Sequence, residues 1–168
     1  PTKYIEKNPS KNVETDHFHG TEEKVKEKLL VEKFETAEAK AKDACDLKKV
    51  ADKLVEAGDI DWARRVYEKA EVKAQDALDF NWLAYSISEA LSDKDWARKV
   101  FKKAECKAKN SLEFNWLAYS IFETLGDKDW AKQLCEKAES KPGNIRELCD
   151  LADSIFETLG DKKWGEKV

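Results

Sequence analysis

Asp95-Trp96-Ala97-Arg98-Lys99-Val100-Phe101-Lys102-Lys103-Ala104-Glu105 has close copies on both sides: Asp61-Trp62-Ala63-Arg64-Arg65-Val66-Tyr67-Glu68-Lys69-Ala70-Glu71 before it and Asp129-Trp130-Ala131 after it. Trp62, Trp96, Trp130 and Trp164 stand 34 residues apart. A self-similar interval in the range of about 20–50 residues marks an array of supersecondary units, each burying its apolar face against its neighbours. The stretch ahead of each tryptophan repeats as well. Phe80-Asn81-Trp82-Leu83-Ala84-Tyr85-Ser86-Ile87 returns unchanged at Phe114 to Ile121, and a diverged copy ends at Ile155. Turns close the unit, at Ala57-Gly58-Asp59, Leu91-Ser92-Asp93, Leu125-Gly126-Asp127 and Leu159-Gly160-Asp161.

Both segments carry helical periodicity. Phe80, Leu83, Ala84, Ile87 and Leu91 fall on one stripe, and so do Trp96, Val100, Phe101, Ala104 and Ala108. Asp93 is placed to cap the second helix, and Asp95 lies in its first turn, where a carboxylate meets the positive end of the helix dipole. The pair recurs at Asp59/Asp61 and Asp127/Asp129. Glycine at Gly58, Gly126 and Gly160 permits the left-handed backbone that ends a helix. Helices joined by loops this short pack antiparallel. The expected architecture is an all-α, right-handed α-solenoid of antiparallel helix pairs with a 34-residue period.

The pattern resembles the tetratricopeptide repeat, a 34-residue helical hairpin, over about Asp46 to Val168. Val50-Ala51, Leu54, Gly58, Ala63, Tyr67 and Ala70 occupy that family's large-small, large, glycine, alanine, aromatic and alanine positions, and Pro142 stands where its second helix often ends. The middle units are also similar to the half-a-tetratricopeptide repeat, whose tryptophan, aromatic and glutamate spacing matches Trp82, Tyr85, Glu89 and Trp116, Tyr119, Glu123. Both resemblances imply a right-handed superhelix that serves as a non-catalytic protein-binding scaffold. Carried over position by position, the groove sites fall on Lys48, Asp52 and Val55 in the first unit, then on Asn81, Tyr85 and Ser88, on Asn115, Tyr119 and Phe122, and on Cys149, Asp153 and Phe156. The implied partner-binding set is Asn81, Tyr85, Ser88, Asn115, Tyr119, Phe122, Asp153 and Phe156. The lysine-asparagine clamp with which some relatives hold a terminal carboxylate is not reproduced, because Lys48 alone is basic.

The tryptophan at the start of each second helix reads as a core staple between units, with the small residue after it (Ala63, Ala97, Ala131, Gly165) letting backbones approach. Residues 1–20 read as an irregular or extended lead-in, Thr21 to Ala44 as a long helix bearing Leu29, Leu30, Phe34, Ala37 and Ala41, and residues 46–168 as about 3.5 repeats. Because Val168 falls at the register of Val66 and Val100, the last unit reads as incomplete. Its uncapped edge gives a second reading, a structural element that self-assembles by stacking.

Composition narrows the chemistry. The 168 residues are 41% hydrophobic and 39% charged, with a net charge of −4, so there is no basic footprint for a nucleic-acid backbone or an anionic membrane surface. No apolar run approaches the roughly 20 residues of a membrane span. Cys45, Cys106, Cys135 and Cys149 lack the close pairing of a metal site, and free thiols point to the cytoplasm. His17 and His19, with Asp16, would share one side of a strand and could grip a divalent metal, but a polar lead-in accounts for them equally simply, and no cofactor is expected. There is no glycine-rich phosphate loop, nucleophile elbow or metal-protease motif, so no catalytic residue is assigned.

Overall fold

The computed structural model describes residues 14–141, with side chains from Lys24 onward, together with Asp153, Ile155 and Gly160. The described residues form seven α-helices and no strand. They divide into two units, one ending at Lys40 and the other beginning at Ala41.

The first unit is the helix α1, Glu14–Lys40. It begins and ends earlier than the Thr21 to Ala44 span read from periodicity, so the segment expected to be irregular is helical from Glu14. His17 and His19 therefore stand on helical backbone, where residues two apart do not share a face. Their side chains lie outside the described set. Leu29 and Leu30 are exposed, as are Val25 and Val31.

The second unit holds α2 (Ala44–Glu56), α3 (Ile60–Lys73), α4 (Ala77–Leu91), α5 (Lys94–Lys107), α6 (Ser111–Leu125) and α7 (Lys128–Glu139). Each helix packs on its successor in the pairs α2 with α3, α4 with α5 and α6 with α7, while α2, α4 and α6 also pack on one another in turn. The periodic residues explain these contacts. Leu47, Val50, Ala51 and Leu54 of α2 are buried, as are Ala63, Val66, Tyr67 and Ala70 of α3, and the same stripes recur on α4 through α7. Ala63, Ala97 and Ala131 have no exposed surface, consistent with close backbone approach at these positions. Cys135 fills the place of Tyr67 and Phe101 and is fully buried, and that burial pushes its thiol up to about 12.

Two kinds of start signal alternate. The even-numbered helices use a reciprocal cap: Asp76 accepts from the Asp79 amide at 2.9 Å while Asp79 accepts from the Gln75 amide at 3.0 Å, and Asn110 with Glu113 repeats the arrangement. The odd-numbered helices from α3 on are capped by aspartates alone. Asp59, Asp93 and Asp127 accept from the amides of Trp62, Trp96 and Trp130, each at 3.0 Å.

At the ends, Gly126 adopts φ of +68° as expected for a helix-closing glycine, but Ser92 holds the equivalent left-handed conformation at φ of +53°. A side chain there strains the backbone, and glycine does not. Ser92→Gly is expected to stabilise the protein by about 0.5–1 kcal/mol, after allowance for the greater freedom of glycine in the unfolded chain. Urea unfolding of both forms measures it, and an unchanged midpoint would mean that the turn carries no such strain.

Candidate interaction face of α4 and α6

The octapeptide shared by α4 and α6 divides its residues between two environments. Phe80, Leu83, Ala84 and Ile87 turn inward, and Phe114, Leu117, Ala118 and Ile121 do the same. Three-residue spacing then forces Trp82 and Tyr85 on α4, and Trp116 and Tyr119 on α6, onto the opposite stripe. They stay in solvent, 46%, 43%, 42% and 50% exposed respectively. Together with Leu78, Asn81 and Ser120 they line a cleft of about 350 Å³. Four large exposed rings in one cleft form an apolar patch of the kind that marks an interaction site.

At its base sits Asn81, only 5% exposed, whose buried Oδ1 accepts no hydrogen bond from the chain. A buried acceptor in that condition costs about 1–3 kcal/mol, and the Ser111 hydroxyl oxygen, which does not line the cleft, is in the same condition. Ser88 and Asn115 are also buried. Phe122 is half-buried, with the Lys128 ammonium 5.7 Å from its ring centre. Asp153 is exposed, and Phe156 lies outside the described residues.

The cleft thus brings together Asn81, Tyr85 and Tyr119 from the sequence-derived set. Ser88, Asn115 and Phe122 lie on the same two helices but do not line it. Sequence reasoning missed Trp82, Trp116, Leu78 and Ser120. Their signal was present: an exposed aromatic pair at i and i+3, off the buried stripe, in two identical octapeptides.

The periodic tryptophans occupy a different place. Trp96 and Trp130 are half-buried, not sealed in the core. Trp96 of α5 reaches α3, where it meets the Tyr67 ring edge-on at 6.5 Å, lies under the Arg64 guanidinium at 5.3 Å, and donates Nε1–H to Glu71 at 2.8 Å. Trp130 of α7 does the same on α5, with Phe101 at 6.5 Å, Arg98 at 5.6 Å and Glu105 at 3.0 Å. An indole suits this, having broad faces for stacking and one polar edge. Lys103 and Lys137 close the brace by pairing with Glu71 and Glu105.

The capping aspartates belong to the same brace. The second oxygen of Asp93 accepts from Arg64 at 2.9 Å and that of Asp127 from Arg98 at 2.7 Å. The Trp96 amide and then Arg64 hold the Asp93 carboxyl below the usual range, and Arg98 and then the Trp130 amide do so for Asp127. Depressed carboxyls contribute stability that is fully present above the unfolded-state value of about 3.9 and is lost as pH falls through the folded-state values. The Asp93→Asn/Asp127→Asn protein keeps a capping side chain without the charge, so it is expected to lose less stability than wild type between about pH 4 and pH 2. Equal acid sensitivity in guanidinium titrations would contradict this.

Lys48 and Asp52 of α2, expected from the family resemblance to line a groove, satisfy each other. Lys48 pairs with Asp52 at 2.8 Å, and the Tyr67 hydroxyl donates to Asp52 at 2.6 Å. Burial and that carboxylate push the phenol up. No group of three or more His, Cys, Asp or Glu residues able to hold a metal occurs among the described residues, and no described helix is long and apolar enough to cross a membrane. No family model, curated protein or solved structure matches the chain.

Proposed function

We propose that the second unit is a right-handed solenoid of antiparallel helix pairs, repeating every 34 residues in the manner of tetratricopeptide scaffolds, and that it binds a peptide or helix of a protein partner without catalysing a reaction. The recurrence of the same brace from α5 to α3 and from α7 to α5 supports the repeat. One observation carries the binding role: the exposed rings of Trp82, Tyr85, Trp116 and Tyr119 line one cleft. Tryptophan and tyrosine are the side chains that most often dominate interface energetics, since they offer large contact areas at little entropic cost. The rings pack on the side chains of the ligand.

Panning a random peptide library against the protein tests this. Enriched peptides are expected to compete with one another and to bind Tyr85→Ala/Tyr119→Ala at least about tenfold more weakly, with the helical circular-dichroism spectrum retained. Affinity that ignores both substitutions would remove the face from consideration.

A further inference from the structure

Aromatic rings elsewhere in the second unit carry a cation of the chain itself. Arg64 lies over Trp96, Arg98 over Trp130, Lys128 over Phe122 and Lys141 over Phe114, each within 6 Å of the ring centre. Among the described residues, no such cation covers Trp82, Tyr85, Trp116 or Tyr119. The helices α4 and α6 contain no lysine or arginine. Their charges are all negative, and the spacing sets them on the aromatic stripe. Asp79, Trp82, Tyr85 and Glu89 follow at steps of three, three and four on α4, as do Glu113, Trp116, Tyr119 and Glu123 on α6. Each exposed aromatic pair is therefore bracketed by carboxylates.

We propose that this cleft is specific for basic peptides and takes an arginine side chain against the indole and phenol faces. The proposal rests on the reading of the face as a peptide site and names the chemistry of its partner. A guanidinium matches both features at once. Its flat cation stacks on the electron-rich rings, and its charge is drawn by Glu89 and Glu123. An acidic segment would meet like charge at both ends of the stripe, and a purely apolar one would gain nothing from the carboxylates. On α2 the face changes character, for Lys48 is committed to Asp52 and Lys49 is exposed. The cation subsite is confined to α4 and α6.

The test compares two short blocked peptides, one alternating alanine with arginine and one with citrulline, which keeps the shape and loses the charge. Titration of the intact protein by calorimetry is expected to give at least about tenfold tighter binding of the arginine peptide. Trp82→Leu/Trp116→Leu, which keeps apolar bulk at exposed positions, is expected to erase that preference, and Trp82→Phe/Trp116→Phe to retain part of it. Glu89→Gln/Glu123→Gln is expected to weaken the arginine peptide several-fold and leave the citrulline peptide unchanged. Equal affinity for both peptides, or an arginine preference indifferent to the tryptophan changes, overturns the proposal. If library-selected peptides still lose binding in Tyr85→Ala/Tyr119→Ala while arginine gains nothing over citrulline, the scaffold reading survives and the cation subsite falls. If those peptides too are unaffected, both fall.

Discussion

Phe101→Ala is expected to lower stability by about 3–5 kcal/mol, enough to unfold a substantial fraction of a marginally stable helical protein. Phe101 is fully buried, so truncation removes the transfer free energy of the ring and leaves a void. It also strips Trp130 of the edge it stacks against, 6.5 Å away. Two separable effects follow, and a double-mutant cycle with Trp130→Leu resolves them. The coupling between the two rings is expected to be about 0.5–1.5 kcal/mol of the total. A cost below about 2 kcal/mol for Phe101→Ala would show that the site collapses around the cavity and that the second helices are not held as described.

Asn81→Leu is expected to act in the opposite direction, raising the stability of the unliganded protein by about 1–2 kcal/mol. Leucine is close to asparagine in size and shape and carries no acceptor to desolvate, so the buried position is satisfied by packing alone. The same change is expected to weaken selective peptide binding, since Asn81 lines the cleft and its polar amide is gone. A more stable protein that binds more weakly is the outcome distinctive of a polar group kept for recognition. Destabilisation by the leucine, with binding intact, would instead mark Asn81 as part of the internal structure. The matched measurements are a urea midpoint and a calorimetric titration on one preparation.

The repeat was legible from sequence because its core positions are set by periodicity, and periodicity survives without knowledge of partners. Leu83, Ala84, Ile87, Val100, Phe101 and Ala104 were all placed inside by spacing, and all are buried. The aspartate caps were legible for a similar reason, as a local bond needs only the residues three apart. The braces were not. Arg64, Glu71 and Lys103 read as ordinary charges on a solvated surface, and only the packing of consecutive pairs brings them around one indole. For α1 the apolar pattern marks which residues share a face and says nothing of what meets that face, and Leu29 and Leu30 are exposed. The cleft was half legible. Tyr85 and Tyr119 followed from the family pattern, whereas Trp82 and Trp116 were matched to a family spacing without being placed on the groove.

The residue at one core position changes along the chain, from Tyr67 on α3 to Phe101 on α5 and to Cys135 on α7. The first two meet an indole edge-on, and a thiol has no ring to present. The aromatic contribution therefore has a direction, present on α3 and α5 and replaced by sulfur on α7. Loosening should start at α7 and travel toward α3, so that backbone amides of α7 trade their hydrogens with solvent before those of α3 do.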